Sequence, residues 1–325
     1  MKIHQSFQAS FIIFVLTMIN PLFAMEDVYP AKPIRLLVGF PSGSSADVAA
    51  RIISKKTSEI LGQAIVIDNK PGASSNIATE AVVRSLPDGY TLLLGTVANT
   101  INSGMGKNLP FNFSNDLAPV VLLTNLPNIL VVHPSIGVSS VQGLIELAQK
   151  KPGQLNYASS GNGTSPHLSG ELFNQIANVK LGHIPYKGSS QAITDVLSGL
   201  VPIMFSPAST ALPYINSGAL RALAVSTSKR SSVAPKLPTL SEAGLNNYDT
   251  SVWFGVLAPI NTPREIQDKL NVSFNQALQS ADVKAQLITQ GMDTMGGSKE
   301  EMGKYISQET EKWLKLIKFS GASLE

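Results

Sequence analysis

"LLVGFPSGSSADVAARII", residues 36–53, decides how the rest of the chain is read. A leucine and valine run stops at Phe40, small turn residues follow, and an alanine-rich helical pattern starts near Asp47. A strand that turns directly into a helix is half of a βαβ unit. The lack of side chain in the turn has two readings. It is a compact connector, or it is a cradle whose N–H groups and hydroxyls hold an anion at the positive end of a helix. Taken alone, the turn supports the connector.

The alternation continues from Ile34 onward, the pattern of βαβ units and a mainly parallel sheet with helices on both faces. "AIVIDN" (64–69), "YTLLLGT" (90–96), "LNYAS" (155–159), "LGHIPY" (181–186), "VPIMFS" (201–206) and "LRALAVST" (220–227) read as strands. "ADVAARIISKKTSEILG" (46–62), "IATEAVVRSLP" (77–87), "SVQGLIELAQKKPG" (140–153), a segment from Pro166 and "SQAITDVLSGL" (190–200) read as helices. Thr262-Pro263-Arg264-Glu265 offers an N-cap, a proline at N1 and a capping-box glutamate, and Ser298 with Glu301 repeats the device. Two apolar stretches, 120–134 and 252–259, read as passages between lobes. Lobe 1 is then residues 25–125 with 248–325, and lobe 2 is 126–247, joined by a two-strand hinge that makes a cleft.

Bulk properties agree. A chain of 325 residues, 43% hydrophobic and 14% charged, suits two α/β lobes. A net charge of +3 with no basic run gives no support to nucleic acid binding. Lys2, the apolar run 11–18 and the small residue Ala24 read as a signal peptide over residues 1–24, which predicts a soluble periplasmic protein. The absence of cysteine excludes thiol chemistry and a lipid anchor on a mature N-terminal cysteine.

The opening turn has three counterparts: "PGASSN" (71–76), "ASSGNGTSPH" (158–167) and "KGSSQ" (187–191). Each follows a strand and opens a helix, and in an open parallel sheet such ends gather where ligands bind. Four of them predict an anion-binding cleft. No lysine followed by Ser or Thr completes a Walker A loop, and "GNGTSP" misses G-x-G-x-x-G at its last residue. Hydroxyls and backbone N–H groups suit a carboxylate, which needs no metal and no cofactor. There is no G-x-S-x-G or H-E-x-x-H. The rival reading is a serine hydrolase using Ser160 or Ser165 with His167.

Successive segments resemble one family. "GFPSGSSADVAAR" (39–51), "VIDNKPGASSNIATE" (66–80), "LPDGYTLLLGT" (86–96), "YASSGNGTSPHLSGELF" (157–173), "HIPYKGSSQAITDVLSG" (183–199) and "WFGVLAPINTP" (253–263) are similar to signatures of the Bug receptors. These are the substrate-binding proteins of tripartite tricarboxylate transporters. The resemblance implies a type II-like, two-lobed periplasmic binding fold, a small organic or aromatic carboxylate as ligand, and a membrane permease as partner of a monomer. Carried over by motif, it implies lobe 1 contacts at Phe40, Ser42, Gly43, Ser44 and Ser45, with Asp47 behind them and Thr96 and Asn99 in a second loop. From lobe 2 it implies Ser159, Ser160, Gly163, Thr164 and His167, with Tyr186 and Lys187 nearby. The chain has Pro202 and Ser206 where relatives commonly carry aspartate, so Ser206 is expected to face the uncharged or acidic far end of a ligand without an amine. "NTINSGMGKNLPF" (99–111) is shorter than usual.

Overall fold

A computed structural model of the chain describes residues 29–104 and 109–320. The expected signal peptide and part of the segment 99–111 lie outside the described residues. The first elements are β1 (Ile34–Val38), α1 (Ser45–Leu61), β2 (Ile65–Asn69), α2 (Asn76–Val83), β3 (Thr91–Thr96), α3 (Val97–Gly104) and β4 (Leu117–Val132). There follow α4 (Val141–Lys150), β5 (Asn156–Ser159), α5 (Ser165–Ala177), β6 (Gly182–Pro185), α6 (Ser189–Leu197), β7 (Ile203–Pro207), α7 (Ala208–Asn216) and β8 (Arg221–Val225). The chain closes with β9 (Ser251–Pro259), α8 (Arg264–Gln279), α9 (Ala281–Thr289), β10 (Asp293–Thr294) and α10 (Lys299–Ser320).

Local chemistry sets several of these ends. Ser44 caps α1 by accepting from the Asp47 amide at 3.3 Å, and Gly62 ends the helix in a left-handed conformation, φ 69°. Ser298 and Glu301 form the expected reciprocal box at α10, with bonds of 2.7 and 3.1 Å. The box expected at Thr262 does not form. Pro263 itself takes the N-cap position of α8, and Thr262 Oγ1 is buried without a partner.

The strands make one ladder in the order β2-β1-β3-β9-β4-β7-β5-β6, with β10 and β8 also on β4. β2, β1 and β3 pair in parallel, as do β6, β5 and β7. Between these halves β9 and β4 run antiparallel. The parallel pairing expected of βαβ units thus holds in each outer half, while the centre is built from the connecting strands. At 16 residues, β4 reaches roughly 50 Å and serves both halves. Leu117–Pro127 pairs with β9, and Asn128–Val132 pairs with β7. The stretch 252–259 lies wholly in the first half, as β9. The return passage comes just before it, where the Thr250 amide donates to Ser226 O and the Ser226 amide to Asn128 O, both at 2.8 Å.

Strand alternation sorts the core to both faces of the ladder. On the first half, Leu37, Leu93, Trp253 and Leu257 pack with Trp313 and Met302 of α10. On the second, Leu130, Tyr157, Ile203 and Phe205 pack with Phe173 and Tyr248. Leu36, Val38, Ala158 and Met204 join a cluster that runs along both halves. Both tryptophans are core residues.

Candidate functional site

A cavity of about 230 Å³ lies where the two halves meet. Phe40, Ser44, Ser45 and Ala46 enter it from the turn after β1, Ser74 from the turn before α2, and Thr96, Val97 and Ala98 from the end of β3. The second half supplies Ser160, Gly163, Thr164, Ser165 and Pro166 after β5, and Pro207 at the end of β7. Val252 and Phe254 of β9 form part of the wall. These are carboxyl ends of strands, the edge where open α/β sheets bind ligands. Three of the four small-residue turns reach the cavity. The fourth, 187–191, does not, because β6 is the edge strand of its half.

Among the described residues, no Asp, Glu, Lys, Arg or His lines this cavity. Its polarity is a matter of protons. Several donors already have acceptors inside the protein. The Gly43 amide donates to Asp47, the Ser44 amide to Pro41 O, the Thr96 amide to Asn99 Oδ1 and the Gly163 amide to His167 Nδ1. Thr164 Oγ1 donates to Gly161 O at 2.7 Å. Others have none among the described residues. Ser45 and Ala46 occupy N1 and N2 of α1, whose N–H groups have no intrahelical partner, and the Ser45 and Ser160 hydroxyls bond no other described residue. From the second half, Ser165 at N1 of α5 adds its N–H, and its hydroxyl accepts a bond without donating one. Among the described residues, donors from both halves therefore face a cavity without charged side chains at helix N-termini, an arrangement suited to an anion without a counter-ion.

Asp47 organises the first turn from behind. It is 2% exposed, and its carboxylate accepts from the Gly43 amide at 2.9 Å, Asn69 Nδ2 at 2.9 Å and Arg51 Nε at 2.9 Å. Burial opposes ionisation, but bonds from Arg51, Gly43 and Asn69 outweigh it and bring its pKa down to about 2. A carboxyl depressed in the fold stabilises above its unfolded pKa and loses that effect as pH falls through the folded value. Asp47→Asn should therefore cost about 2 kcal/mol at neutral pH, and the difference from wild type should shrink towards about pH 2. Urea titrations of both proteins at matched pH check this; an equal gap at both pH values would show that the charge is not what holds the turn.

The remaining expected residues do not line the cavity. Ser42 is exposed and bonds only Asp47, at 3.4 Å. Asn99 is buried and donates to Thr79 Oγ1 while holding the Thr96 amide. Ser159 bonds His183 Nε2 at 2.6 Å. Tyr186 donates to Asp195 at 2.6 Å, and Lys187 is exposed. Ser206, expected to face the far end of a ligand, is fully buried, and Pro207 takes its place at the cavity. Period-2 alternation puts Ser206 on the same face as Met204, over the core.

His167 does not form a catalytic pair. Its Nδ1 accepts the Gly163 amide at 3.0 Å, and its ring stacks on His183 with centroids 3.9 Å apart. Burial lowers its pKa to about 4, so it is neutral at pH 7. Ser165 Oγ bonds Asn128 Nδ2, not the imidazole. The serine hydrolase reading has no dyad to rest on.

Comparison with known proteins supplies the relationship. The profile of the "Tripartite tricarboxylate transporter family receptor" matches residues 49–322. The chain belongs to this family. The receptor is 36% identical to BugT of Bordetella pertussis over 92% of each chain. Among solved structures, R. palustris Rpa4515 with adipate superposes at TM-score 0.79 and 36% identity, over 91% of this chain and 99% of that one. MatC from Rhodopseudomonas palustris with bound malate gives 0.75 and 27%, over 89% and 100%. The family is one of solute receptors and not of enzymes.

Some lining residues of the receptor carried no usable sequence signal. Val252 and Phe254 belong to an apolar strand, and only its place in the ladder brings it to the cavity. The expected second loop is the helix α3, which brings Val97, Ala98 and Ile101 into the wall as well. Ser74 sits in a turn the sequence does mark. Ala73, Ser74 and Ser75 there take positive φ of 45°, 52° and 76°, a strained run of the kind found at ligand sites. Among the described residues, no helix is long and apolar enough to cross a membrane.

Proposed function

We propose that this receptor works in the periplasm as a monomer and closes its two lobes, 25–125 with 248–325 and 126–247, on a small organic or aromatic carboxylate. It then delivers the acid, unchanged, to the membrane permease of a tripartite tricarboxylate transporter. One observation carries the reading: a cavity that, among the described residues, is uncharged and receives from both halves hydroxyls and helix N-termini without an acceptor. A carboxylate accepts several such bonds and needs neither metal nor cofactor. The adipate and malate held by the two relatives support the same class. An ammonium would find no anionic partner among the described residues of the wall.

A ligand that binds only the folded protein stabilises it by about 4 kcal/mol at a thousandfold excess over its Kd. A thermal-shift screen of mono-, di- and tricarboxylates, aromatic acids, amines and nucleotides should give hits among the acids alone. Native mass spectrometry should recover the hit at its original mass. A melt shifted by nucleotides and by no carboxylate would overturn the assignment of the anion.

A further inference from the structure

Asn128 is fully buried at the point where β4 passes from one half of the ladder to the other. Its Nδ2 donates to Ser165 Oγ at 2.8 Å and to Ser169 Oγ at 3.2 Å. Its backbone is tied to the return passage, since the Asn128 amide donates to Ser226 Oγ at 3.0 Å and the Ser226 amide to Asn128 O at 2.8 Å. Counting protons orients this network. Ser169 Oγ donates its one proton to Ser165 O at 2.8 Å, so it accepts from Thr250 Oγ1 at 2.7 Å and meets Asn128 with a lone pair. The amide must then present Nδ2, not Oδ1, to this side. Asn128 Oδ1 has no partner.

The consequence falls on Ser165. Its hydroxyl lines the cavity and accepts from Asn128, which leaves its own proton without a protein acceptor among the described residues. An accepted N–H bond also polarises the O–H that remains. We propose that Asn128 is a positioning residue that makes Ser165 a committed donor, so the second half of the cavity recognises an acceptor group such as a ligand carboxylate oxygen. Asn128 acts only through Ser165. The inference rests on the receptor reading above.

The test is a double-mutant cycle read by titration calorimetry with adipate, malate and benzoate. Asn128→Leu keeps the volume and removes the N–H; Ser165→Ala removes the hydroxyl and keeps α5. Each should weaken the best of the three acids by about tenfold, as the loss of one charge-assisted bond does, and the double variant should bind no more weakly than either. General distortion would instead lower affinity again in the Ser165→Ala background. If Asn128→Leu does not fold, Asn128→Ala runs the same cycle. Additive losses, or an Asn128 variant with unchanged affinity, would overturn the role of Asn128 while leaving the receptor reading intact. Failure of the wild type to bind any of the three acids would overturn the proposal together with that reading.

Discussion

Ser45→Asp is expected to lose carboxylate affinity by about a hundredfold or more and to melt no earlier than wild type. Ser45 is N1 of α1 and lines the cavity. An aspartate there meets the positive end of the helix dipole, which favours the fold by about 0.3–1 kcal/mol. The same charge would lie where the proposed ligand carboxylate docks. Two like charges roughly 5 Å apart at an effective dielectric near 20 repel by roughly 3 kcal/mol, about a hundredfold in affinity. Ser45→Pro probes the site in the opposite sense, by subtraction. Proline is favoured at N1, and the extended Ser44 (ψ 160°) suits a residue that precedes proline. The variant should fold normally and bind roughly tenfold more weakly, having lost one N–H and one hydroxyl. Calorimetry and thermal melts of the pair settle the matter. Normal affinity in both would make the turn after β1 a connector and nothing more.

Acid should unfold this protein through its stacked histidines. Burial lowers the pKa of His167 to about 4; burial, with the charge of His167, lowers that of His183 to about 3. The unfolded chain takes up these protons near pH 6.5, well before the folded one does. Stability is therefore level above about pH 6.5 and falls as pH drops towards 4 and 3. The two groups together should remove on the order of 5 kcal/mol between neutral pH and about pH 4. Near pH 5 each contributes a slope of about 1.4 kcal/mol per pH unit, so His167→Asn or His183→Gln should flatten the urea stability curve by that amount. An unchanged slope in both variants would mean that the pair is not excluded from protonation in the fold. Binding should weaken over the lower part of the same range, because a protonated His167 can no longer accept from the Gly163 amide at the cavity wall.

Much of the architecture was legible in local chemistry. The strand-turn-helix alternation, the cap at Ser44, the stop at Gly62 and the box at Ser298 and Glu301 depend on residues within a few positions of one another. Hydroxyl-rich turns marked the sheet edge at which the cavity lies, since helix N-termini are local features too. Tertiary structure decided which of those turns share a cavity. The order β4-β7-β5-β6 sends the turn at 187–191 to an outer edge, and the continuity of β4 brings Pro207, Val252 and Phe254 to the wall. Strand alternation turned Ser206 inward, a matter of one residue of register. The partners of the donors were equally invisible. Gly43 and Gly163 carry amides like those of their neighbours, but Asp47 and His167, fixed by packing, occupy them. By itself the sequence determined the elements, their ends and the chemistry offered at each turn, because those follow from short-range geometry. Only the tertiary structure decided which N–H and O–H groups remain open to a ligand, because a donor is free or committed according to what distant segments place beside it.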